Sequence, residues 1–118
     1  MSEAYTKANG DLERLTECEG IVMKCIWDAD SDVSLMNIMA SITQISNKEW
    51  KRQTVSTFLL HLITKGYASS YRVGRVFYYH PEVSLEAYQR KITQDFKNFW
   101  YNGDTEKLVE MLQKLDEA

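Results

Sequence analysis

The chain has 118 residues, 44% of them apolar and 12% aromatic, which is enough for one domain with a hydrophobic core and argues against a disordered chain. The sequence has no run of 18 apolar residues and no basic segment leading into an apolar run, so we expect a cytoplasmic protein without a membrane span or signal peptide. The two cysteines, Cys18 and Cys25, fall on one predicted helix about 10 Å apart, too far for a disulfide between them.

The net charge of −3 conceals an uneven distribution of charge along the chain. Residues 1–32 carry three bases against eight acids, and residues 81–118 carry five bases against eight acids. Residues 33–80 carry six bases against one acid. A basic middle between acidic ends indicates where a nucleic acid would bind.

The first predicted helix spans residues 16–27. Residues 1–14 before it are polar and without clear periodicity, as is typical of a loose tail or a short helix. Thr16 and Glu19 have the spacing of a capping box, in which each side chain satisfies a free N–H of the other residue. Apolar residues then recur at helical spacing, which predicts one core-facing side.

A short second helix is predicted over residues 34–42, after a loop at 28–32. Ser34 is its expected N-cap, because a serine hydroxyl can accept from a free N–H of the first turn. Residues 43–50 are predicted to form a connection. Trp50, at the end of that connection, is predicted to fill the core at the entrance to the next helix.

The third helix is predicted over residues 51–65, with Gly66 as its C-cap signal. Its core-facing stripe has full helical spacing and comprises Val55, Phe58, Leu59, Leu62 and Ile63. Residues 67–80 are rich in Tyr, Val and Phe, with a glycine near the middle. This pattern predicts a β-hairpin that turns around residues 73–75 and ends at Pro81.

Two further helices are predicted over residues 84–100 and 104–115, separated by Asn102-Gly103. Ser84 and Asp104 are their expected N-caps. Both helices carry apolar stripes, which comprise Leu85, Tyr88, Ile92, Phe96, Phe99, Trp100, Leu108, Met111, Leu112 and Leu115. A three-helix head with its own core cannot bury all of these side chains, so we expect them to form a dimer interface.

The order helix, helix, helix, hairpin predicts a winged helix-turn-helix, a mainly α fold with a small β-hairpin wing (α+β). The expected division is a polar tail at 1–13, a winged-helix DNA-binding domain at 14–81 and a helical dimerisation region at 82–118. A dimer of such domains is expected to bind a palindromic DNA site with half-sites about one helical turn apart.

Several motifs occur in a fixed order along the chain. A leading "L-[ST]-x-x-E" helix ends in Trp, and a second Trp precedes "T-V-x-T-x-L-x-x-L-x-x-K-G-Y" and then "G-R-x-[YF]-x-Y". The matching residues are Leu15–Glu19, Trp27, Trp50, Thr54–Tyr67 and Gly74–Tyr79. The ordered set resembles the penicillinase-repressor family (BlaI, MecI and CopY) of winged-helix transcriptional repressors. The resemblance covers roughly residues 14–115.

The resemblance implies a homodimeric repressor that binds an inverted-repeat operator. The copper-responsive branch of the family carries C-terminal Cys-x-Cys motifs, but this chain has no cysteine after Cys25, so the resemblance favours the β-lactam-responsive type. That branch is inactivated by a protease that cuts an Asn-Phe bond after the wing. The matching bond here is Asp95-Phe96, in which only the Phe agrees. The family also often has Arg where His61 stands.

The polar positions of the third helix are the candidate contacts to double-stranded DNA. A recognition helix reaches base edges with its N-terminal side chains, where Arg or Lys pairs with guanine, Gln with adenine, and a Thr methyl touches thymine. The candidates are Lys51, Arg52, Gln53, Thr54, Ser56, Thr57 and His61, with Thr54 assigned to a phosphate. In the wing, Arg72 and Arg75 flank Gly74 and suit phosphates or a minor groove.

Three other functions are alternatives to DNA binding. An enzyme has little support, because the chain has no Gly-rich phosphate loop and His61 and His80 lack partners at metal-ligand spacing. No cofactor or metal is therefore expected. A protein-binding winged helix would use the C-terminal stripes to dock a partner. A small-molecule-sensing regulator would line a pocket with Tyr88, Phe96, Phe99, Trp100 and Tyr101.

Overall fold

The computed structural model describes residues 12–117, so the predicted tail lies outside the described residues except for its last two. In chain order the elements are α1 (Glu17–Asp28), β1 (Val33–Ser34), α2 (Leu35–Ser46), α3 (Arg52–Thr64), β2 (Ala68–Val73), β3 (Val76–Pro81), α4 (Leu85–Trp100) and α5 (Thr105–Leu115). The mainly α architecture with a hairpin wing is confirmed. None of the helices between residues 12 and 117 is long and apolar enough to cross a membrane.

Local capping determines where most helices begin. Thr16 and Glu19 form the expected capping box at the start of α1, with each side chain accepting from the other residue's backbone N–H. The hydroxyls of Ser34 and Ser84 and the carboxylate of Asp104 each accept from an N–H in the first turn of α2, α4 and α5. These four N-caps are as predicted.

Helix α2 is longer than predicted. It continues through residues 43–46, which the sequence pattern predicts as part of the connection, and ends at Asn47 in a left-handed conformation with φ 59°. The N–H of Asn47 bonds to the carbonyl of Thr43, and the Ser46 hydroxyl donates to the carbonyl of Ile42 at 2.7 Å. The polar residues of this last turn therefore belong to the helix, and the turn before α3 is short.

A three-stranded antiparallel sheet forms instead of an isolated hairpin. Its order is β1-β3-β2, and the two-residue strand β1 pairs Val33 with Tyr79 and Ser34 with Tyr78. The prediction placed residue 33 outside any strand, because two residues are too few for a periodic signal. The added strand joins the base of the wing to the start of α2.

The core lies between α1, α2, α3 and the base of the sheet. Its fully buried side chains are Val22, Met23, Ile38, Ile42, Val55, Leu59, Leu62 and Tyr67. Trp50 packs at its edge as predicted, with its ring 5.1 Å from that of Phe58. Leu12, which the predicted division left in the polar tail, is also buried in this core, and the Tyr67 hydroxyl donates to the carbonyl of Glu13 at 2.6 Å.

The same core continues into the first turn of α4. Val83 is buried, and its carbonyl accepts from the indole N–H of Trp27 at 2.8 Å. The ring of Tyr88 stacks on Trp27 with centroids 5.5 Å apart and meets Tyr67 edge-on at 5.7 Å. Tyr88, which we predicted as a dimerisation residue, therefore packs in the winged-helix core, which extends past the predicted boundary at residue 81.

Candidate nucleic-acid interface

The N-terminal turns of α3 present the predicted polar side chains to solvent. Lys51, Arg52, Gln53 and Thr57 are exposed, whereas Thr54 and Ser56 are half-buried at the sides of the helix. Lys51 is the N-cap residue, but its side chain makes no capping hydrogen bond. Since a lysine cannot accept a hydrogen bond, the first N–H groups of α3 have no side-chain acceptor.

The hydroxyl of Thr57 is already engaged within the helix. It donates to the carbonyl of Gln53, one turn earlier, at 3.0 Å. Its single proton is therefore used, and the hydroxyl can only accept a further hydrogen bond. Leu60, one turn further along the same side, is 61% exposed and was not among the predicted site residues.

His61 faces α1 as well as solvent. Its Nδ1 lies 3.4 Å from Oε2 of Glu19, and its ring meets Phe58 edge-on. Glu19 is only 4% exposed, and its Oε1 also accepts from Nζ of Lys65 at 2.6 Å. Glu19 thus contacts both His61 and Lys65, and this network joins the end of α3 to the start of α1. One edge of the His61 ring takes part in it.

The same network removes Lys65 from the basic surface. Burial acts to raise the pKa of Glu19, but the hydrogen bonds from Lys65 and from the backbone of Thr16 outweigh it and hold that pKa below its ordinary value. The pKa of Lys65 is raised, chiefly by its hydrogen bond to Glu19. Both groups are therefore held in their charged forms.

Replacing Glu19 by Gln will test this ion pair. The glutamine retains the capping acceptor but loses the charge, so we expect the free energy of unfolding to fall by about 2 kcal/mol at pH 7. Because the folded-state pKa of Glu19 is depressed, the stabilisation is present above the ordinary carboxyl pKa of 4.5 and is lost as pH falls through the folded value. Urea unfolding from pH 7 to pH 3 measures the difference.

The exposed Glu17 lies in the same helical turn and provides the control. Glu17→Gln removes an equal charge near the helix N-terminus, so it should cost only a few tenths of a kcal/mol. Equal losses for both variants, or a Glu19→Gln loss that does not shrink below pH 4.5, would contradict the role given to the Lys65 pair.

The wing ends in a two-residue turn made by Gly74 and Arg75. Gly74 adopts φ 64°, a left-handed conformation that glycine reaches without strain and that tight hairpins require. Arg75 therefore projects at the tip. The guanidinium of Arg72 lies 5.8 Å from the ring centroid of its cross-strand partner Phe77. Both predicted wing arginines are thus at or next to the tip.

A carboxylate at the other end of the wing fixes the strands to the body. Asp32 Oδ2 accepts from the Tyr71 hydroxyl at 2.6 Å, and its Oδ1 lies 2.8 Å from Nδ1 of His80. The hydrogen bond from Tyr71 contributes most to lowering the pKa of Asp32, and the hydrogen bond with His80 contributes next. The sequence pattern gave no sign of this contact, because 39 and 48 residues separate the partners.

Helix α3 and one face of the wing pack against the same core. Tyr79 on β3 packs against the buried cluster that includes Val55 and Leu59 of α3. Phe77 lies two residues before Tyr79 on β3 and shares its face, and Arg72 pairs with Phe77 across the strands. Arg72 is therefore on the face of the wing that packs towards α3.

The two C-terminal helices expose most of the predicted dimerisation residues. Helix α4 has no buried residue, and α5 has only Leu108. Ile92 is half-buried. Phe99 and Trp100 are 73% and 66% exposed. The remaining exposed members are Leu85, Phe96, Met111, Leu112 and Leu115, joined by Val109, which was not predicted.

The remaining predicted positions are placed as follows. Asp95 and Phe96 lie inside α4, where Asp95 pairs with Lys91 at 3.2 Å. Cys18 and Cys25 are both free thiols, and burial raises the pKa of Cys25 to about 11, so this thiol is inert near neutral pH. Within residues 12–117 no three His, Cys, Asp or Glu side chains are grouped so as to hold a metal ion.

A family model described as penicillinase repressor matches residues 15–117. The chain belongs to the penicillinase repressor family. The penicillinase repressor of Bacillus licheniformis is 31% identical over 98 residues, which are 83% of this chain and 74% of that protein. Family membership confirms the resemblance seen in the motifs and identifies the chain as a DNA-binding repressor.

Two solved structures of the repressor BlaI share the fold. The DNA-binding domain of the repressor BlaI, solved in solution, superposes with a TM-score of 0.55 at 31% identity. The monomeric form of Bacillus licheniformis BlaI in complex with the blaP half-operator superposes with a TM-score of 0.53, also at 31% identity. Each match covers 65% of this chain and 90% of the other. The winged-helix prediction is therefore confirmed.

Proposed function

We propose that this penicillinase repressor family member binds an inverted-repeat operator as a homodimer, with α3 in the major groove and the wing on the adjacent backbone. The observation that carries this proposal is that the polar start of α3 is exposed and that Arg72 lies on the wing face that packs towards α3, with Arg75 at the wing tip. A cytoplasmic location follows from a DNA target, and the proposal includes no catalytic activity.

In this proposal the α3 side chains divide into base-reading and backbone contacts. Arg52 and Gln53 are exposed at the first helical turn, where a recognition helix reaches base edges. Arg pairs with guanine and Gln with adenine through two hydrogen bonds each. The free N–H groups behind Lys51 suit a phosphate oxygen, as do the half-buried Thr54 and Ser56 at the helix sides.

His61 is the predicted contact that the structure supports least. Its Nδ1 is turned towards Glu19, so only the other side of the ring faces solvent. We assign it a secondary role, in which the Glu19 network positions α3 and His61 adds a phosphate contact from its free edge. Lys65 has no part in the interface, because its charge is already paired.

The dimer is proposed from the exposed apolar side chains of α4 and α5. A second copy of the chain would bury them in an isologous interface, which gives the two-fold symmetry that an inverted repeat requires. We place the start of the continuous dimerising region after Tyr88, since Val83, Ala87 and Tyr88 pack on the winged-helix core and only Leu85 before them is an exposed stripe residue. Leu108 is buried and Ile92 is half-buried within one chain, which leaves the exposed stripe residues for the partner.

DNA selected from random duplexes by the protein tests the function, with a scrambled duplex as control. Three backbone cations per protomer, Lys51, Arg72 and Arg75, would release about six counterions from the DNA. Affinity should then fall about 1,000-fold between 50 and 200 mM salt. Equal affinity for the selected and scrambled duplexes, or no salt dependence, would exclude operator recognition by this surface.

Variants distinguish the residues that contact bases from those that contact the DNA backbone. Replacing Arg52 and Gln53 by Ala should reduce the preference for the selected duplex by at least 10-fold. Arg75→Ala should weaken binding to both duplexes alike and lower the salt slope by about two per dimer. Arg90→Ala on the polar side of α4 serves as the matched control and should change neither quantity. If the first two variants behave alike, the division of roles is wrong.

Inactivation by proteolysis at Asp95-Phe96 is proposed as the route of induction. The bond lies within α4, and a protease needs an extended chain, so cleavage requires α4 to open locally. Cleavage there would separate α5 from the winged helix and disrupt the proposed dimer interface. Mass spectrometry of the protein from β-lactam-treated host cells tests this, since a species ending at Asp95 should appear; an intact chain in derepressed cells would refute it.

A further inference from the structure

The outward side of α3 carries an apolar residue among polar ones. Gln53, Thr57, Leu60 and Thr64 are separated by four, three and four residues, so all four lie on one side of the helix. The buried residues Val55, Leu59 and Leu62 occupy the opposite side.

A single exposed leucine does not by itself indicate a binding site, since such residues are common on protein surfaces. Leu60 differs in its position and its neighbours. The Thr57 hydroxyl donates within the helix to the Gln53 carbonyl, and His61 Nδ1 lies 3.4 Å from Oε2 of Glu19. The middle of this side therefore offers apolar contact rather than hydrogen-bond donors to whatever it meets.

In the major groove this chemistry matches one base. Thymine alone presents an apolar group there, its C5 methyl, whereas the other base edges present donors and acceptors. Leu60 follows Gln53 by seven residues, about 10 Å along the helix, which corresponds to about three base pairs of DNA.

We propose that Leu60 is a specificity-determining residue of this protein, which reads the methyl group of a thymine in each operator half-site. The inference rests on the proposed function, because it requires α3 to lie in the major groove. The thymine lies about three base pairs from the base that Gln53 contacts.

Deoxyuridine provides the test. Each thymine of the selected duplex is replaced in turn, in both half-sites, by deoxyuridine, which keeps base pairing and the O4 acceptor and removes only the methyl group. At one thymine position we expect the wild-type protein to lose about four-fold in affinity per half-site, or about 15-fold for both. Leu60→Ala should bind the thymine and deoxyuridine duplexes equally at that position.

Two variants keep the result interpretable. Leu60→Met retains an apolar side chain and should stay sensitive to the methyl group. Met36→Ala removes an exposed apolar side chain from α2 and should respond to deoxyuridine as the wild type does. Circular dichroism checks that the variants fold.

The outcomes distinguish this inference from the proposed function. If the wild type binds the selected duplex specifically but Leu60→Ala keeps the same sensitivity at every thymine, the role of Leu60 is refuted and operator binding stands. Specific binding with no sensitivity to any deoxyuridine refutes it as well. A wild type that prefers no sequence at all overturns both proposals.

Discussion

A Leu112→Glu variant should be a monomer at micromolar concentrations and should bind the selected operator about 100-fold more weakly than the wild type. Leu112 is exposed on the apolar side of α5 in one chain. In an isologous dimer the substitution places two carboxylates in the buried interface, where unpaired charges are strongly unfavourable. Loss of the dimer removes the gain from binding two half-sites together, which is typically 100-fold or more.

Sedimentation equilibrium and operator titration measure the two effects. Gln113→Glu is the matched control, because it adds the same charge to the neighbouring residue on the polar side of α5. That variant should remain dimeric and bind normally. A Leu112→Glu protein that still sediments as a dimer would show that the exposed stripe of α4 and α5 has another purpose, such as docking a different protein.

The second large effect concerns Trp27, where we expect Ala to lower the free energy of unfolding by about 4 kcal/mol. Its ring stacks on Tyr88 and meets Tyr67 edge-on, and its N–H satisfies the Val83 carbonyl. Truncation removes all three contacts and leaves a cavity in a small core. Since total stabilities of such domains are about 5–15 kcal/mol, this loss could leave the variant with a free energy of unfolding as low as about 1 kcal/mol.

Urea unfolding followed by circular dichroism measures this loss, and Trp27→Phe separates its causes. The phenyl ring retains most of the stacking but cannot donate to Val83, so it should cost about 1 kcal/mol. In Trp27→Ala combined with Tyr88→Ala, the losses should differ from additivity by about 1 kcal/mol, because the rings contact each other. A loss below 1 kcal/mol for Trp27→Ala would mean that α4 is not anchored through this ring.

The sequence predicted the parts of the fold that depend on local chemistry. Such features act within four residues and can therefore be recognised from the sequence alone. They are the capping pair Thr16 and Glu19, the serine and aspartate N-caps and the Gly74 turn. The end of α2 was missed because Ser46 and Asn47 look like loop residues, and only the hydrogen bonds of the last turn reveal that they continue the helix.

Features that depend on distant partners could not be predicted. Glu19 was recognised as a cap, but its pairing with Lys65, 46 residues away, requires α1 and α3 to be packed. The spacing of Tyr88 in its helix is compatible with a place in the dimer interface or in the winged-helix core. Only the stacking of its ring on Trp27 assigns it to the winged-helix core. Leu60 did have a sequence signal that the prediction missed, because its spacing from Gln53 and Thr57 already places a leucine on the polar side of the predicted helix.

The stacking of Tyr88 on Trp27 has a consequence for operator geometry. Helix α4 leaves the winged helix from a packed aromatic joint, with no free linker between the two proposed halves of the protein. In the proposed dimer this joint and α4 then fix the distance between the two winged-helix domains and their rotation relative to each other. Operator spacing should therefore be nearly invariant across the sites that this repressor regulates, even where their base sequences differ.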